Sequence, residues 1–214
     1  MKGRASQRSL HRQWEAETRI RLAPFFLILL APMLVAARPA DDGRWLAGVY
    51  SFSDELGKFR IISVSGFGSK TDPVVIVEEF QEASPATMVI RIRDIPRPYT
   101  YLRDTLNGFV HFEFQAVNAS GHTWIGFEFE LQEVRGLPSV YGDGLSFDQR
   151  RTDSGSISSD VFTTYERDFE PGDRIVFKDG AVDHGGMARF RFLVTDFTPK
   201  SEFYLVQDPR IPLS

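Results

Sequence analysis

Val110-His111-Phe112-Glu113-Phe114-Gln115-Ala116 and, after a short break, Ile125-Gly126-Phe127-Glu128-Phe129-Glu130-Leu131 carry an apolar side chain at every second position. Successive side chains of a strand point to opposite faces, so this period of two gives each run one face for a core and one for water. That is the pattern of an antiparallel sheet solvated on one side. Asn118–Gly121 lies between the runs, and a hairpin through it would set the polar faces of both side by side. The inward set is then Phe112, Phe114, Phe127 and Phe129, and the outward set His111, Glu113, Glu128 and Glu130.

The same period continues outward from these runs. Phe190, Phe192 and Val194 alternate with Arg189 and Arg191, and shorter strands are expected at Trp45–Phe52, Phe59–Val64, Val74–Phe80, Thr87–Ile92, Val161–Tyr165, Arg174–Phe177 and Phe203–Val206. Between them stand turn formers: Asn107-Gly108, Gly142–Gly144, Pro171–Asp173 and Asp179-Gly180. The pairs Asn107-Gly108 and Asp179-Gly180 are of the kind that tight hairpins favour. No helical stripe persists for three turns. About ten short strands with frequent turns predict an all-β, antiparallel sandwich of immunoglobulin-like or jelly-roll-like type, with a barrel as the alternative.

The N-terminus has a different character. Lys2, Arg4, Arg8, Arg12, Arg19 and Arg21 precede an uncharged, apolar stretch, Leu22–Ala36, that ends in Val35-Ala36-Ala37. A basic zone, an apolar zone and small residues at the −3 and −1 positions are the layout of a secretory signal peptide. The stretch is shorter than the roughly 20 apolar residues of a spanning helix, and Pro24 and Pro32 interrupt it. We therefore expect residues 1–37 to be a signal peptide, with an uncleaved N-terminal anchor as the alternative, a mature N-terminus at Arg38, and one sandwich domain over 38–214. A sub-boundary near 96–105 is the alternative, because Pro96-Arg97-Pro98 reads as a stiff connector. The expected place is extracytoplasmic, periplasmic or secreted, with no membrane span after cleavage.

Removing the leader takes six of the 25 basic residues and two of the 29 acidic ones, which leaves 19 against 27. Such an acidic chain repels phosphate backbones and anionic lipid, which argues against nucleic-acid partners. The chain has no cysteine. Thiol catalysis and thiolate metal sites are thereby excluded, and the fold must rest on its apolar core.

Five segments carry a resemblance: Val117-Asn118-Ala119-Ser120-Gly121 with Trp124, Gly126–Leu131, Gly142–Asp148, Ile175-Val176-Phe177 with Gly180, and Phe203–Pro209. Over about residues 105–212 the chain is similar to uncharacterised bacterial extracellular sandwich domains, the modules found in secreted proteins with haemolysin-type calcium repeats or exosortase sorting signals. The resemblance implies a bacterial, exported sandwich whose last segment is the closing strand. It implies no activity. The glycine-aspartate nonapeptide repeats that bind calcium in haemolysin-type proteins are not found here.

For chemistry, an enzyme needs acid, base or nucleophile groups that converge. His111, His122 and His184 are the histidines beyond the leader, and Asp183-His184-Gly185-Gly186 is the most site-like setting. No HExxH pair, Gly-x-Ser-x-Gly elbow or phosphate-cradling loop occurs. Glu113, Glu128 and Glu130 would suit glycoside hydrolysis if their strands pair; otherwise they form a solvated face balanced by Arg189 and Arg191. The long segment Leu137–Asp160 holds Asp143, Asp148, Asp153 and Asp160, and calcium is the metal such oxygen-rich loops take. Asn118-Ala119-Ser120 is formally a glycosylation sequon and is expected to serve as a turn. Trp45, Trp124, Tyr99, Tyr101 and Tyr141 are candidates for a sugar-stacking surface. The binding candidates are thus Asp143, Asp148, Asp183, His184, Trp124 and Tyr141. They favour a non-catalytic module that binds a glycan or a surface protein. A carbohydrate-active enzyme using paired carboxylates and a structural component of the cell envelope are the alternatives.

Overall fold

The computed structural model describes residues 39–93, 108–149, 155–168, 171–198 and 200–212. Residues 1–38, the expected signal peptide among them, and Pro96–Pro98, Tyr99, Tyr101, Asn107 and Asp153 lie outside the described residues.

Thirteen strands form among the described residues: β1 (Trp45–Ala47), β2 (Tyr50–Ser53), β3 (Phe59–Ser65), β4 (Val74–Phe80), β5 (Ala86–Ile92), β6 (Phe109–Asn118), β7 (Gly126–Gln132), β8 (Leu145–Phe147), β9 (Ser158–Ser159), β10 (Thr164–Asp168), β11 (Arg174–Lys178), β12 (Met187–Asp196) and β13 (Glu202–Arg210). They build a seven-stranded sheet ordered β1-β2-β5-β13-β7-β11-β10 and a six-stranded sheet whose path is β3-β4-β6-β12-β8, with β9 beside β12. Strands from before and after residues 94–107 are woven together in both sheets, β5 against β13 and β4 against β6. The expected sandwich architecture is therefore present, with one departure: β4 runs parallel to β6.

The core is the alternation made physical. Phe112, Phe114, Phe190 and Phe192 of the six-stranded sheet meet Phe127, Phe129 and Phe177 of the other, and all are at most 2 % exposed. Ring centroids across the interface are 5.5 Å apart for Phe114–Phe129, 4.7 Å for Phe127–Phe190 and 4.9 Å for Phe129–Phe192. Tilted and edge-on rings at such spacing add favourable quadrupole contacts to the burial itself.

Several expectations need correction. β6 and β7 do not form a hairpin: β6 pairs with β4 and β12, and β7 with β13 and β11. Period-two alternation says that a strand is half-buried, and both arrangements turn the same phenylalanines inward. Ile125, in phase with Phe127 and Phe129, is 46 % exposed, and Trp124 fills the core at that end of β7. Asp179-Gly180 is no hairpin between neighbours, since β11 belongs to one sheet and the following β12 to the other. The tenth strand begins at Thr164, and Val161 and Phe162 precede it as packing residues.

Gly108 shows why its position demands glycine. Its φ is +75°, and a Cβ there would sit 1.7 Å from the Asp196 carbonyl oxygen. That contact closes the end of the β6–β12 ladder, where Asp196 N–H donates to Gly108 O at 2.7 Å.

Candidate functional site

The predicted binding residues fall into separate places. Trp124, Asp183 and His184 gather around Asn118, where β6 ends. Asn118 is fully buried, and its Nδ2 donates to the carbonyls of His122 and Val182, each at 2.8 Å. Its Oδ1 accepts from Ser120 N–H at 3.0 Å and Ser120 Oγ–H at 2.7 Å. The Trp124 indole N–H donates to Ser120 Oγ at 3.1 Å, and the ring is wholly inside the core, edge-on to Phe80. Trp124 is therefore a core residue and not a sugar platform. The sequon asparagine is likewise a structural corner post, with no side-chain nitrogen left to modify.

Asp183–Gly186 is a tight turn laid on that corner. Gly186 N–H donates to Asp183 O at 2.8 Å, Gly185 has φ +80°, and Gly185 N–H donates to Asn118 O at 2.7 Å. A glycine with positive φ at the third position is the signature of a type II turn. Asp183 Oδ1 accepts from Thr123 Oγ–H at 2.7 Å, and His184 projects into solvent.

Asp143 belongs to the other end of β12. Its carboxylate accepts from Val140 N–H and Leu145 N–H, both at 3.0 Å, closing the short 3-10 turn Tyr141–Asp143. Its carbonyl accepts from Thr198 Oγ–H, just past the end of β12. β12 has ten residues between the two turns, which at about 3.4 Å per residue separates Asp143 from His184 by roughly 30 Å. Asp148 is buried at φ +44°, with Ser156 Oγ–H donating to it at 2.9 Å. Asp160 accepts from Arg189 N–H at 2.7 Å. Asp143, Asp148 and Asp160 thus each bond to separate partners. Among the described residues no group of three or more His, Asp or Glu side chains is placed to hold a metal ion.

The carboxylates proposed for hydrolysis are also parted. Glu113 sits on the six-stranded sheet beside Arg191, and Glu128 and Glu130 sit on the seven-stranded one, where Arg210 donates to Glu128 at 2.5 Å. Glu113 is therefore separated from Glu128 and Glu130, which remain neighbours on the outer face of β7, so the three carboxylates do not share one face.

What the structure does assemble is a groove of about 470 Å³ on the outer face of the six-stranded sheet, lined by Lys70, Thr71, Pro73, Val75, His111, Glu113, Gly155, Ser156 and Arg191. Its floor is a cross-strand row, Val75–Glu113–Arg191, set by the registers of β4, β6 and β12, with His111 two residues from Glu113 along β6. One wall is the loop before β4. The N–H groups of Phe67, Gly68 and Ser69 all point to Asp72 O at 2.9–3.2 Å, and His111 N–H donates to Gly68 O at 2.9 Å. This pins Lys70 and Thr71 over the floor. The other wall is Gly155-Ser156, held by the Ser156–Asp148 bond.

Electrostatics give the floor a fixed polarity. Burial alone would raise the Glu113 carboxyl. Hydrogen bonds from Gln115 at 2.8 Å and Arg191 at 2.8 Å, with the charges of Arg191 and Arg189, outweigh that and hold it below the ordinary carboxylate range. Glu113 is thus an anion at neutral pH, flanked by donors. A second depression, of about 580 Å³, lies near Arg44, Arg91 and Glu202. There Arg91 donates to Glu55 at 2.6 Å and to Glu202 at 2.8 Å.

Behind the groove runs a buried polar clasp that sequence reasoning missed. Ser146 Oγ–H donates to Asp173, Arg167 Nη2 donates to Ser146 Oγ at 3.1 Å and lies 3.6 Å from Asp173, and Arg167 Nη1 donates to Asp148 O at 3.3 Å. It ties β8 of one sheet to the β10–β11 edge of the other. Burial pushes the Asp173 carboxyl up to about 6, against the lowering effects of the Ser146 hydrogen bond, the Arg167 charge and the Phe147 N–H. Through Asp148 and Ser156 the clasp reaches the groove wall. Pro171-Gly172-Asp173 signalled a turn in the sequence, but nothing in the spacing linked it to Ser146 or Arg167.

Comparison of the chain with protein-family models, curated proteins and solved structures gives no match.

Proposed function

We propose that the chain is an exported, non-catalytic sandwich module that binds a glycan in the groove over Val75, Glu113 and Arg191. The groove is the observation that carries this reading. Its volume lies within the ordinary range of ligand clefts, about 300–1,000 Å³. Its lining sets the donors Lys70 and Arg191 beside the acceptor Glu113 and the hydroxyls of Thr71 and Ser156, and sugar hydroxyls need both donors and acceptors. With Trp124 inside the core, recognition rests on hydrogen bonding and not on ring stacking. The basic and apolar zones of residues 1–37 support export, and the acidic balance of the remainder argues against a nucleic-acid ligand. The resemblance to bacterial extracellular modules is in keeping with this role and supplies no ligand.

A protein partner is the second reading, favoured by one feature. The loop after β7 is held by Leu137 N–H to Val134 O at 2.9 Å, yet Val134, Leu137 and Val140 are 51 %, 61 % and 41 % exposed. Rigidly held apolar side chains in water mark contact surfaces.

The test is a glycan array of bacterial envelope and host polysaccharides, followed by calorimetry on any hit. Arg191→Ala should weaken binding about tenfold or more, the loss expected when a ligand-facing hydrogen bond to a charged group disappears, and His111→Ala should weaken it about threefold to tenfold. Glu128→Ala, on the other sheet, should leave it unchanged. Equal affinity in all three variants rejects the groove.

A further inference from the structure

β4 carries a glutamate where its register demands an apolar side chain. Val74, Ile76, Glu78 and Phe80 share the inner face, and all four are 0 % exposed. Across the core, Gln207 occupies the inner face of β13 between Leu205 and Pro209 and is also 0 % exposed. Gln207 Nε2–H donates to Glu78 Oε2 at 2.9 Å, which joins the two sheets through a polar bond inside the core. Glu78 Oε1 and Gln207 Oε1 are both buried without a hydrogen-bond partner.

Two orphaned acceptors on one interacting pair need a proton. A buried acceptor left alone is unfavourable, and an unpaired buried carboxylate is far more so. The surroundings offer no cation. Glu78 stands beside Ile61 of β3 and Ala116 of β6, and Gln207 beside Ala86 of β5 and Phe129 of β7. Each of these is buried and apolar, so among the described residues no titratable or charged group faces the pair from the elements packed on it. The alanine beside each partner leaves room for the two polar side chains.

We propose that Glu78 is carried in the core as a neutral carboxylic acid, which gives its proton to Gln207 Oε1 while accepting from Nε2, so that a ring of two hydrogen bonds latches the sheets together and comes apart in alkali. One proton satisfies both orphaned oxygens. Burial pushes the Glu78 carboxyl up from 4.5 to about 8, with the Gln207 hydrogen bond opposing in part, so the neutral form prevails at pH 7. The sign follows from linkage. Below about pH 4.5 the folded and unfolded chains both hold the proton, and the latch contributes in full. Between about 4.5 and 8 only the folded chain holds it, so stability falls as pH rises, and above about 8 the loss is complete. The latch is independent of the groove, which lies on the outer face.

The experiment compares urea unfolding of the wild-type chain and Glu78→Gln across pH 5–9. An amide at position 78 makes a similar ring and cannot titrate. The folding constant of wild type relative to Glu78→Gln should fall about tenfold per pH unit between roughly pH 5 and 8, the slope of one linked proton. Parallel pH profiles overturn the proposal. If Glu78→Gln does not fold, the wild-type chain labelled with ¹³C at the glutamate carboxyls decides. One resonance should remain that of a protonated acid at pH 7 and titrate near 8, and titration of every glutamate in the ordinary range overturns it.

Discussion

Asn118 concentrates more structure than any side chain whose type suggested function. Its amide fixes the turns at His122 and Val182 and, through Ser120, the indole of Trp124. Asn118→Ala leaves several of these groups unsatisfied, each at about 1–3 kcal/mol, and should destabilise the chain by about 2–4 kcal/mol in urea unfolding. At the centre of the core, Phe127→Ala should cost about 3–5 kcal/mol, because the cavity adds to the lost transfer energy. Neighbouring Glu128→Ala should cost less than about 1 kcal/mol, since its Arg210 partner is half exposed. Equal costs for the two would mean that the register of β7 is wrong. In sequence Trp124 resembles a surface residue, because it is an aromatic in a polar turn, yet it is fully buried. Its anchors, Asn118 and Ser120, became visible only as hydrogen bonds.

At the scale of elements, alternation located strands well and partners poorly. Val74–Phe80 is a strand over the bounds expected, and the strands around Phe112, Phe127 and Phe190 lie where the period placed them. The hairpin between β6 and β7 did not form, since inward-facing phenylalanines fit either sheet. The groove was illegible for a related reason. Val75, Glu113 and Arg191 are far apart in the chain and meet only through the parallel register of β4 on β6 and the antiparallel one of β12. The loop from Leu137 to Asp160 was the sequence's strongest invitation to calcium. With Asp143, Asp148 and Asp160 bonded to different partners, millimolar calcium against chelator should leave the thermal midpoint unmoved. A calcium-dependent rise of several degrees, as mass action predicts for a bound ion, would restore the metal. If residues 1–37 act as a signal peptide, Edman sequencing of exported protein should start at Arg38, and an intact Met1 would refute cleavage.

Over the whole molecule, the two sheets divide the work. Their inner faces are a phenylalanine core crossed by the Glu78–Gln207 bond, and their sides are tied by the Ser146–Asp173–Arg167 clasp. The outer face of the seven-stranded sheet is a ladder of matched charges, Lys178 with Glu166, Arg174 with Asp168 and Arg210 with Glu128. The outer face of the six-stranded sheet is instead walled by two loops into a cleft. A scaffold that holds loops rigidly over a sheet is a common way to present a binding surface. The measurement that bears most directly on this account is an amide NMR titration of the ¹⁵N-labelled chain with a glycan found on the array. Saturable shifts should be confined to Val75, His111, Glu113, Ser156 and Arg191 and the loop carrying Lys70. Shifts at Val134–Val140 or around His184, with those residues unmoved, would contradict it.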